Sequence, residues 1–301
     1  MAIPEFIGVD WGNTNARFML IDDTGAILAE TSGPGIAKLS GTEHIEATCF
    51  EAIGDWISAH PKLPVIMTGA VGSNIGWHIA HYLMTPATAA MAKMATTAFV
   101  ARGVSFIILP GVETLWADGL PDVMRGEETQ IFGALVGETT LACLPGTHAK
   151  WVEVENGVIT GFHGAMTGEL LDIIGRHSIL LNPRRAPMAV VGRAFLEGVT
   201  VTQHNQMGLE TLLFTVRSRQ IKRTLTAVDA DAYLAGLCIG AEVRSALAIH
   251  PTAKTVTLIG SPALMALYAS ALDAYGITPR QIDGKAAVIA GLVAAYRMHF
   301  K

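Results

Sequence analysis

Two short segments of the chain combine glycine with small polar residues, a composition that can bind phosphate. One is Asp10-Trp11-Gly12-Asn13-Thr14-Asn15, and the other is Pro145-Gly146-Thr147-His148, which has Lys150 two residues further on. A glycine turn can present several backbone N–H groups on one side, and such a concavity binds anions, phosphate in particular. The predicted phosphate contacts are Gly12, Asn13, Thr14, Asn15, Gly146, Thr147, His148 and Lys150.

Asp10 stands where the first strand of the chain is predicted to end. A carboxylate cannot cradle phosphate, but it can hold Mg²⁺ on the phosphate oxygens, directly or through water. Taken alone, the segment from Asp10 to Asn15 also fits an ordinary hairpin turn in which Asn or Asp caps its own backbone. Two such turns in one chain favour phosphate binding over that simpler alternative.

The apolar pattern positions both turns between strands. Strand–turn–strand–turn–strand is predicted twice, near residues 5–30 and 140–162, and each copy is followed by helices and single buried strands. Such an internal repeat indicates an α/β protein with two similar domains, which we assign to residues 1–137 and 138–301. The last helix, at about residues 285–299, could pack within the second domain, back on the first, or across a homodimer.

Helical spacing and buried apolar runs predict the remaining elements. Residues 113–124 are predicted to be a loop, and Arg217 and Arg219 alternate as they would on a strand, without an assigned role. The predicted helices cover 42–59, 127–136, 167–181, 230–249 and about 285–299, and the single buried strands cover 64–68, 105–109 and 255–259.

Length and composition exclude several classes of protein. The 301 residues suit about two domains, because single cores stop growing at roughly 250–300 residues. A net charge of −5 without a basic stripe argues against nucleic acid as a partner. The apolar run from Ala286 to Tyr296 is shorter than the roughly 18 residues that a membrane span needs, so no membrane partner is expected.

Cysteine usage and the N-terminal residues bear on the compartment. Cys49, Cys143 and Cys238 are far apart and lack CxxC spacing, which fits a reducing cytoplasm. The acidic residues Glu5 and Asp10 argue against a signal peptide. We therefore expect a cytoplasmic protein. Neither a G-x-x-x-x-G-K-[ST] phosphate loop nor a G-x-G-x-x-G dinucleotide fingerprint after the first strand is found.

The two turns resemble the paired phosphate motifs of the actin/hexokinase/heat-shock ATPase superfamily. Leu258-Ile259-Gly260-Ser261-Pro262-Ala263-Leu264 is similar to the adenosine motif of that superfamily, which adds Gly260 and Ser261 as nucleotide contacts. Asn13 is a mild departure, since the superfamily usually has Thr there. The resemblance implies two ribonuclease H-like domains, the actin-like ATPase fold, with ATP bound in an interdomain cleft.

The similarity is closer to one family, the 2-dehydro-3-deoxygalactonokinases. It implies ATP, Mg²⁺ and transfer to the 6-hydroxyl of 2-dehydro-3-deoxy-D-galactonate, a sugar acid. The resembling segments span almost the whole chain and are Asp10 to Arg17, Gly69 to Trp77, Met124 to Gly133, Leu144 to Trp151, Met166 to Leu170 and Leu237 to Val243.

Glu127 and Glu128 begin a predicted helix directly after Arg125-Gly126. Phosphoryl transfer needs alignment, charge neutralisation and a carboxylate that accepts the hydroxyl proton. The exopolyphosphatase branch of the superfamily has a similar Gly-x-Glu-Glu helix start that carries its catalytic glutamate. We favour Glu128 as the base, with Glu127 as its rival and Asp10 as a third candidate. The alternative is that both glutamates only stabilise the start of the helix, where negative charge interacts favourably with the helix dipole.

The carboxylate of a sugar acid calls for an arginine or for backbone amides. Gly72, Ser73 and Asn74 follow a strand and offer amides, a hydroxyl and an amide side chain. Trp77 could wall the pocket or pack in the core. The other candidates for the carboxylate are Arg17, with a surface ion pair as the alternative, and Arg125. Glu169 is a candidate for a ribose or a helix start.

Two other functions remain open at this point. An actin-like ATPase that switches a partner, without a small-molecule acceptor, would use the same fold, since fold does not decide function. Polyphosphate hydrolysis would want a basic channel, which the net charge of −5 disfavours. The galacto or gluco preference at the acceptor is not readable from these residues.

Overall fold

The computed structural model of the chain describes residues 2–181 and 190–301. Short 3₁₀ turns at Ile36–Lys38 and Ala70–Gly72 accompany the regular elements. The strands are β1 (Pro4–Trp11), β2 (Asn15–Asp22), β3 (Ile27–Pro34), β4 (Val65–Gly69), β5 (Tyr82–Met84), β6 (Thr97–Ala101), β7 (Val104–Ile108), β8 (Gly111–Leu115), β9 (Pro121–Met124), β10 (Thr140–Leu144), β11 (Ala149–Glu155), β12 (Val158–Ala165), β13 (Thr255–Gly260) and β14 (Thr278–Asp283).

The helices alternate with these strands, and the chain divides into two compact units. Unit 1 consists of Met1–Thr139, Glu153–Phe162 and Gly284–Lys301, and unit 2 consists of Thr140–Val152 and His163–Asp283. The helices are α1 (Thr42–Ala59), α2 (Ala89–Met94), α3 (Glu127–Ala134), α4 (Thr167–His177), α5 (Arg193–His204), α6 (Leu209–Ile221), α7 (Ala230–Ile249), α8 (Pro262–Ala274) and α9 (Gly284–Phe300).

Unit 1 is built on a six-stranded sheet in the order β3-β2-β1-β4-β7-β6. Strands β1 to β3 form an antiparallel meander, and β4 is parallel to β1. Because successive strand residues point to opposite faces, Ile7, Val9 and Trp11 pack in the core that α1 covers, whereas Phe6 packs with Leu292 of α9 on the other face. The same alternation puts Asp10 on the α9 face of the sheet.

Helices α3 and α9 approach each other so closely that only glycine fits at the contact. A Cβ atom added to Gly133 would lie 2.2 Å from the backbone nitrogen of Gly291, and one added to Gly291 would lie 2.1 Å from the carbonyl oxygen of Thr129. Real Cβ atoms do not tolerate such distances from backbone, so the two glycines allow the helices to pack. The C-terminal helix therefore belongs to unit 1 and fixes the position of α3.

The second large sheet has the order β12-β11-β10-β13-β14, with β13 parallel to both β10 and β14. Of its strands, β10, β13 and β14 lie entirely in unit 2. Helix α7 runs through the core of unit 2 and is buried on all sides from Ala230 to Val243. By length and composition α7 could cross a membrane, but 72% of its most apolar window is buried inside the protein. This burial is that of a core helix.

The order β3-β2-β1-β4 in the six-stranded sheet returns as β12-β11-β10-β13 in the five-stranded sheet. The predicted duplication of a strand meander followed by a parallel strand is therefore confirmed, and with it the α/β class. Each copy puts a glycine turn between its first two strands, at Gly12 and at Gly146.

Two predictions of local structure are wrong. The segment 113–124 contains the β8–β9 hairpin, which forms a three-stranded sheet with β5. Arg217 and Arg219 lie in helix α6, whose buried residues Leu212 and Val216 follow the spacing of one helical face. Arg219 donates to Glu197 and its guanidinium stacks on the ring of Tyr233, so its role is to join α6 to α5 and α7.

Candidate active site

The carboxyl ends of β1 and β4 bring three predicted segments of unit 1 to one edge of the sheet. The parallel register pairs Asp10 with Thr68 and Trp11 with Gly69. Gly69 has a positive φ, and a Cβ atom there would lie 2.7 Å from the carbonyl oxygen of Trp11. Gly126, which directly precedes α3, packs against Gly69 in turn. Asp10, the loop after Gly69 and the start of α3 therefore meet at this edge.

The first glycine turn is held from behind by the segment that follows β3. Gly12 N donates to Asn15 O within the turn, Gly35 N donates to Thr14 O and Ala37 N donates to Asn13 O. The side chains of Asn13, Thr14 and Asn15 are exposed, and a Cβ atom on Gly12 would meet nothing closer than 3.6 Å. The turn is thus fixed in shape and open on its outer side.

Asp10 is partly exposed on this edge, and no N–H or O–H group of the described residues donates to its carboxylate. Burial raises the pKa of Asp10, and the positive charge of Arg17, its partner across the β1–β2 pair, opposes that shift. A carboxylate without protein donors suits Mg²⁺, which takes one or two carboxylates and completes its shell with water and phosphate oxygens. Residues 2–181 and 190–301 contain no cluster of three His, Cys, Asp or Glu side chains of the kind that would hold a metal without substrate.

Glu128 is a buried carboxylate, 2% exposed, in the first turn of α3. Its Oε2 accepts from Gly126 N at 2.7 Å and its Oε1 accepts from the Thr129 hydroxyl at 3.0 Å. Burial, with a smaller contribution from the charge of Glu127, raises the pKa of Glu128 to about 7. Such a group exchanges a proton near neutral pH, as a general base must.

Glu127 differs from its neighbour in exposure. It is half-buried, and its Oε2 accepts from Arg125 N at 3.0 Å. Both glutamates therefore cap the backbone at the start of α3, which agrees with the helix-dipole alternative, but burial raises the pKa of Glu128 well above its ordinary value.

Arg125 is fixed on three sides. Its Nη2 donates to Ala80 O at 2.9 Å, its Nε donates to the Tyr82 hydroxyl at 3.3 Å, and its Cζ lies 4.1 Å from the centroid of the Tyr82 ring. Its Nη1 is buried next to Gly72, where a Cβ atom would come within 2.9 Å of it.

Two donors at this loop find no partner among residues 2–181 and 190–301, namely Arg125 Nη1 and Ser73 Oγ. A buried polar group without a partner costs roughly 1–3 kcal/mol, and more if it is charged. Two such groups, one next to Gly72 and one on the residue that follows it, are typical of a site that a ligand completes. The exposed Asn74 follows on the same loop.

Trp77 lies in the core, and Arg17 lies beside Asp10. The Trp77 ring is buried and packs edge-on against Phe50, Phe99 and Phe106, so it belongs to the core of unit 1. Arg17 lies opposite Asp10 on β2. Of the two arginines considered for a carboxylate ligand, Arg125 is the one beside Gly72 and Ser73.

In unit 2, the parallel pairing of β10 with β13 brings the second turn beside Gly260, whose Cβ position is 3.5 Å from Pro145. Ser261 is exposed at the start of α8. The start of α4 packs on the same turn, because a Cβ atom on Gly168 would lie 2.3 Å from Gly146 O, and Glu169 N donates to Thr147 O.

The side chains around this turn complete the second cluster. His148 Nε2 and Glu169 Oε2 are 2.5 Å apart, whereas Lys150 is buried in β11. Glu169 thus joins the nucleotide candidates of unit 2 and not the Ser73 loop. The edge formed by Gly146, Thr147, His148, Gly260 and Ser261 repeats the arrangement of unit 1.

Comparison with known proteins identifies the family. A family model described as 2-keto-3-deoxy-galactonokinase matches residues 10–295. The chain belongs to the 2-keto-3-deoxy-galactonokinase family. It is 38% identical to a Rhizobium meliloti protein named probable 2-dehydro-3-deoxygalactonokinase, over 97% of this chain and 96% of that one. It is 34% identical to the 2-dehydro-3-deoxygalactonokinase of Escherichia coli K12, over 95% of this chain and 96% of that one.

Solved structures agree with this membership and with the fold. A crystal structure from Sinorhizobium meliloti, assigned to the same family, has a TM-score of 0.85 and 36% identity over 98% of this chain and 97% of that one. The activator of 2-hydroxyisocaproyl-CoA dehydratase from Clostridium difficile has a TM-score of 0.53. It is 12% identical over 97% of this chain and 94% of that one. The predicted actin-like ATPase fold is confirmed, and the chain is a sugar-acid kinase.

Glu242 is a buried carboxylate near the second turn of this galactonokinase-family chain, and the segment Leu237 to Val243 contained it without an assigned role. It is buried in α7, where its carboxylate accepts from Trp151 Nε1 at 2.8 Å and from the Tyr268 hydroxyl at 2.7 Å, and it also bonds to Thr167. Burial raises its pKa. It ties β11 and α8 to the start of α4, directly beneath the second turn. An acid within an otherwise apolar stretch, Leu234 to Val243, was the signal for it.

Proposed function

We propose that this kinase transfers the γ-phosphoryl group of ATP to the 6-hydroxyl of 2-dehydro-3-deoxy-D-galactonate, with Mg²⁺ as cofactor. The observation that carries the proposal is the pair of buried, unpartnered donors, Arg125 Nη1 and Ser73 Oγ, in the same unit as the Glu128 carboxylate. An anionic acceptor needs such donors, and a hydroxyl nucleophile needs such a base. The names of the two relatives support this substrate.

The sugar acid is bound by unit 1. Arg125 and Ser73 bind its carboxylate, and Gly72 leaves the space in which the guanidinium lies. Asn74 is exposed on the same loop and binds the acceptor hydroxyls. Because Tyr82 and Ala80 already fix the rest of the guanidinium, little side-chain entropy is lost when the carboxylate binds.

The nucleotide is bound by the turn and helix ends of unit 2. Gly146, Thr147 and His148 contact phosphate oxygens, with Lys150 contributing charge, while Gly260 and Ser261 contact the adenosine and Glu169 the ribose. In unit 1, the turn from Gly12 to Asn15 contacts phosphate oxygens too. Asp10 would hold Mg²⁺, which when bound neutralises charge on the phosphate oxygens.

Glu128 accepts the proton as the acceptor hydroxyl attacks phosphorus. The O–H bond of the acceptor breaks, a new O–P bond forms, and ADP leaves with the electrons of the broken P–O bond. With a pKa of about 7, Glu128 is substantially ionised at neutral pH and still basic enough to take the proton.

The test is ATP turnover, followed by ADP release, with a panel of acceptors. The panel contains 2-dehydro-3-deoxy-D-galactonate, its gluconate epimer, galactonate, glycerol and no acceptor. Strong stimulation by the galactonate acid, with phosphorus NMR locating the phosphate on the 6-oxygen, is the expected result. Equal turnover without acceptor would overturn the kinase assignment and favour a switching ATPase. Preference for the gluconate epimer would correct the substrate alone.

The base assignment is tested with three variants on the same assay. Glu128→Gln should lower kcat by at least a hundredfold, on the order of the contribution of a general base. Glu127→Gln should lower it far less. Asp10→Asn should raise the Mg²⁺ concentration needed for half-maximal activity. Near-native kcat in Glu128→Gln would show that the base lies elsewhere.

A further inference from the structure

Two consecutive hydroxyl groups link the Glu128 carboxylate to the central sheet of unit 1. The Thr129 hydroxyl donates to Glu128 Oε1 at 3.0 Å, and the Thr68 and Thr129 hydroxyl oxygens are 2.7 Å apart. All three side chains are buried, with exposures of 2% for Glu128, 3% for Thr129 and 0% for Thr68.

The direction of the hydrogen bonds follows from the number of protons available. A threonine hydroxyl has one proton, and that of Thr129 points to the carboxylate. Thr68 must then be the donor in its bond to Thr129. The two hydroxyls therefore both point toward Glu128, and each hydrogen bond polarises the next.

Thr68 also lies at the sheet edge that carries Asp10. It is the register partner of Asp10 in the parallel β1–β4 pair, so the two side chains project from the same face of the sheet at neighbouring positions. The hydroxyl pair thus bridges the sheet position next to Asp10 and the first turn of α3.

We propose that Thr129, oriented by Thr68, is a positioning residue that holds the Glu128 carboxylate and sets the pH at which it becomes ionised; this rests on the proposed role of Glu128 as the base. The reason is that the hydroxyl donates to the charged form of Glu128, and a donor to the charged form of an acid favours that form. Burial opposes ionisation, and the Thr129 hydroxyl and Gly126 N–H offset part of that cost.

Other charges face Glu128 from neighbouring elements. Glu127 on the same helix raises its pKa. Asp10 and Arg17 lie on the adjoining sheet, and Lys93 of α2 and His299 of α9 line a small pocket that Glu128 also lines. None of these groups changes when a hydroxyl of Thr68 or Thr129 is removed, so the variants isolate the hydroxyl pair.

The experiment is a carbon-13 NMR titration of the side-chain carboxyl of Glu128 in the full chain, with Glu128→Gln identifying its resonance. Thr129→Val has nearly the same shape and lacks the hydroxyl, so the Glu128 midpoint should rise by about one pH unit. Thr129→Ser keeps the hydroxyl and should leave the midpoint at its wild-type value. Thr68→Val should raise it by less, because Thr129 retains its own proton.

An unchanged Glu128 midpoint in Thr129→Val would overturn the proposal. If Thr129→Val does not fold, Thr68→Val decides. An unchanged Glu128 midpoint in that variant would contradict the proposed role of the hydroxyl pair. The titration needs no turnover and is therefore separate from the kinase proposal. If Glu128 is not the base, kcat of Glu128→Gln will stay near the wild-type value. When both hold, the acidic limb of the kcat/KM profile should move upward with the NMR midpoint in Thr129→Val.

Discussion

The guanidinium of Arg125 lies over the ring of Tyr82, with 4.1 Å between Arg125 Cζ and the ring centroid. Tyr82 is on β5 and Arg125 directly follows β9, so the small sheet of β5, β8 and β9 carries both partners. A cation stacked on an aromatic face is held in one orientation at a gain of roughly 0.5–2 kcal/mol. The free Nη1 is thereby presented to the loop at Gly72 before any ligand arrives.

Replacing Arg125 should impair binding of the sugar acid and leave the nucleotide unaffected. Arg125→Lys removes the planar donors that match a carboxylate, so KM for the sugar acid should rise on the order of ten- to a hundredfold. KM for ATP should stay within twofold. Initial-rate kinetics with each substrate varied measures both. Arg193→Lys, at a site where the arginine is 93% exposed, is the matched control and should change neither constant.

Tyr82 offers an internal comparison for this prediction. Tyr82→Phe keeps the stacking ring and removes only the acceptor for Arg125 Nε, so its KM effect should be several times smaller than that of Arg125→Lys. An equal rise in the KM values of sugar acid and ATP in Arg125→Lys would contradict the assignment of Arg125 to the acceptor.

The second phosphate turn should be sensitive to a single methyl group at Gly168. In Gly168→Ala, the new Cβ atom would lie 2.3 Å from Gly146 O and 2.9 Å from Thr147 Cα, so the turn or the start of α4 must move. We expect KM for ATP to rise at least tenfold while KM for the sugar acid changes little. Isothermal titration calorimetry with an ATP analogue gives the same comparison without turnover.

Gly54→Ala is the control for this substitution. Gly54 lies inside α1, and a Cβ atom there meets nothing within 4 Å. The change should stabilise the chain by roughly 0.5–1 kcal/mol, since alanine has the higher helix propensity. Normal ATP binding by Gly168→Ala would mean that this turn does not contact the nucleotide.

Glu128 should make the protein less stable at alkaline pH. Its pKa rises from an ordinary 4.5 to about 7 on folding, so its contribution to stability is present below pH 4.5 and is lost as the pH rises through 7. Glu128→Gln removes this dependence. The variant should exceed the wild type in stability by up to about 3 kcal/mol above pH 7, and by little near pH 4.5.

Urea denaturation at several pH values measures this difference. A Gln side chain can accept from Gly126 N and donate to Thr129, so it keeps both local contacts. Glu127→Gln serves as the control, because Glu127 is half-exposed and should show no comparable gain. A stability difference independent of pH would show that Glu128 ionises as readily in the folded chain as in the unfolded one.

Much of the fold could be predicted because its core elements have regular patterns. The bounds of α1 and α7 agree with the predictions, since long helices carry strong periodic signals. The small sheet around β5 was missed because it has few buried residues. Leu115, Trp116 and Val123 are exposed there, so alternation did not indicate a buried face.

The glycine turns of the candidate site could be predicted from the sequence, but the contacts that hold its side chains in place could not. Gly146 and Asp10 belong to local motifs, which a single segment reveals. By contrast, the contacts of Arg125 with Tyr82 and of Glu242 with Trp151 join residues 43 and 91 positions apart in the chain. Such pairs arise from strand order and helix packing. For Trp77, the sequence allowed either a role in the pocket or a place in the core. The aromatic residues that bury it, such as Phe106, are also distant in the chain.

The contact between α3 and α9 should couple the stability of unit 1 to catalysis. In Gly291→Ala, the added methyl group would lie 2.1 Å from the carbonyl oxygen of Thr129, and backbone on both sides prevents it from moving aside. We expect a loss of stability toward the upper end of the roughly 1–3 kcal/mol typical of overpacking. Because α3 carries Glu128, kcat should fall as well, at temperatures where the variant remains folded.

Ala290→Gly separates these two effects. Ala290 is exposed on α9, so removing its methyl group should cost about 1 kcal/mol through helix propensity alone. Its kcat should equal that of the wild type. Thermal denaturation and kcat, measured together for both variants, provide the comparison. If Gly291→Ala lost stability but kept full kcat, the packing of α9 would support the fold without setting the position of Glu128.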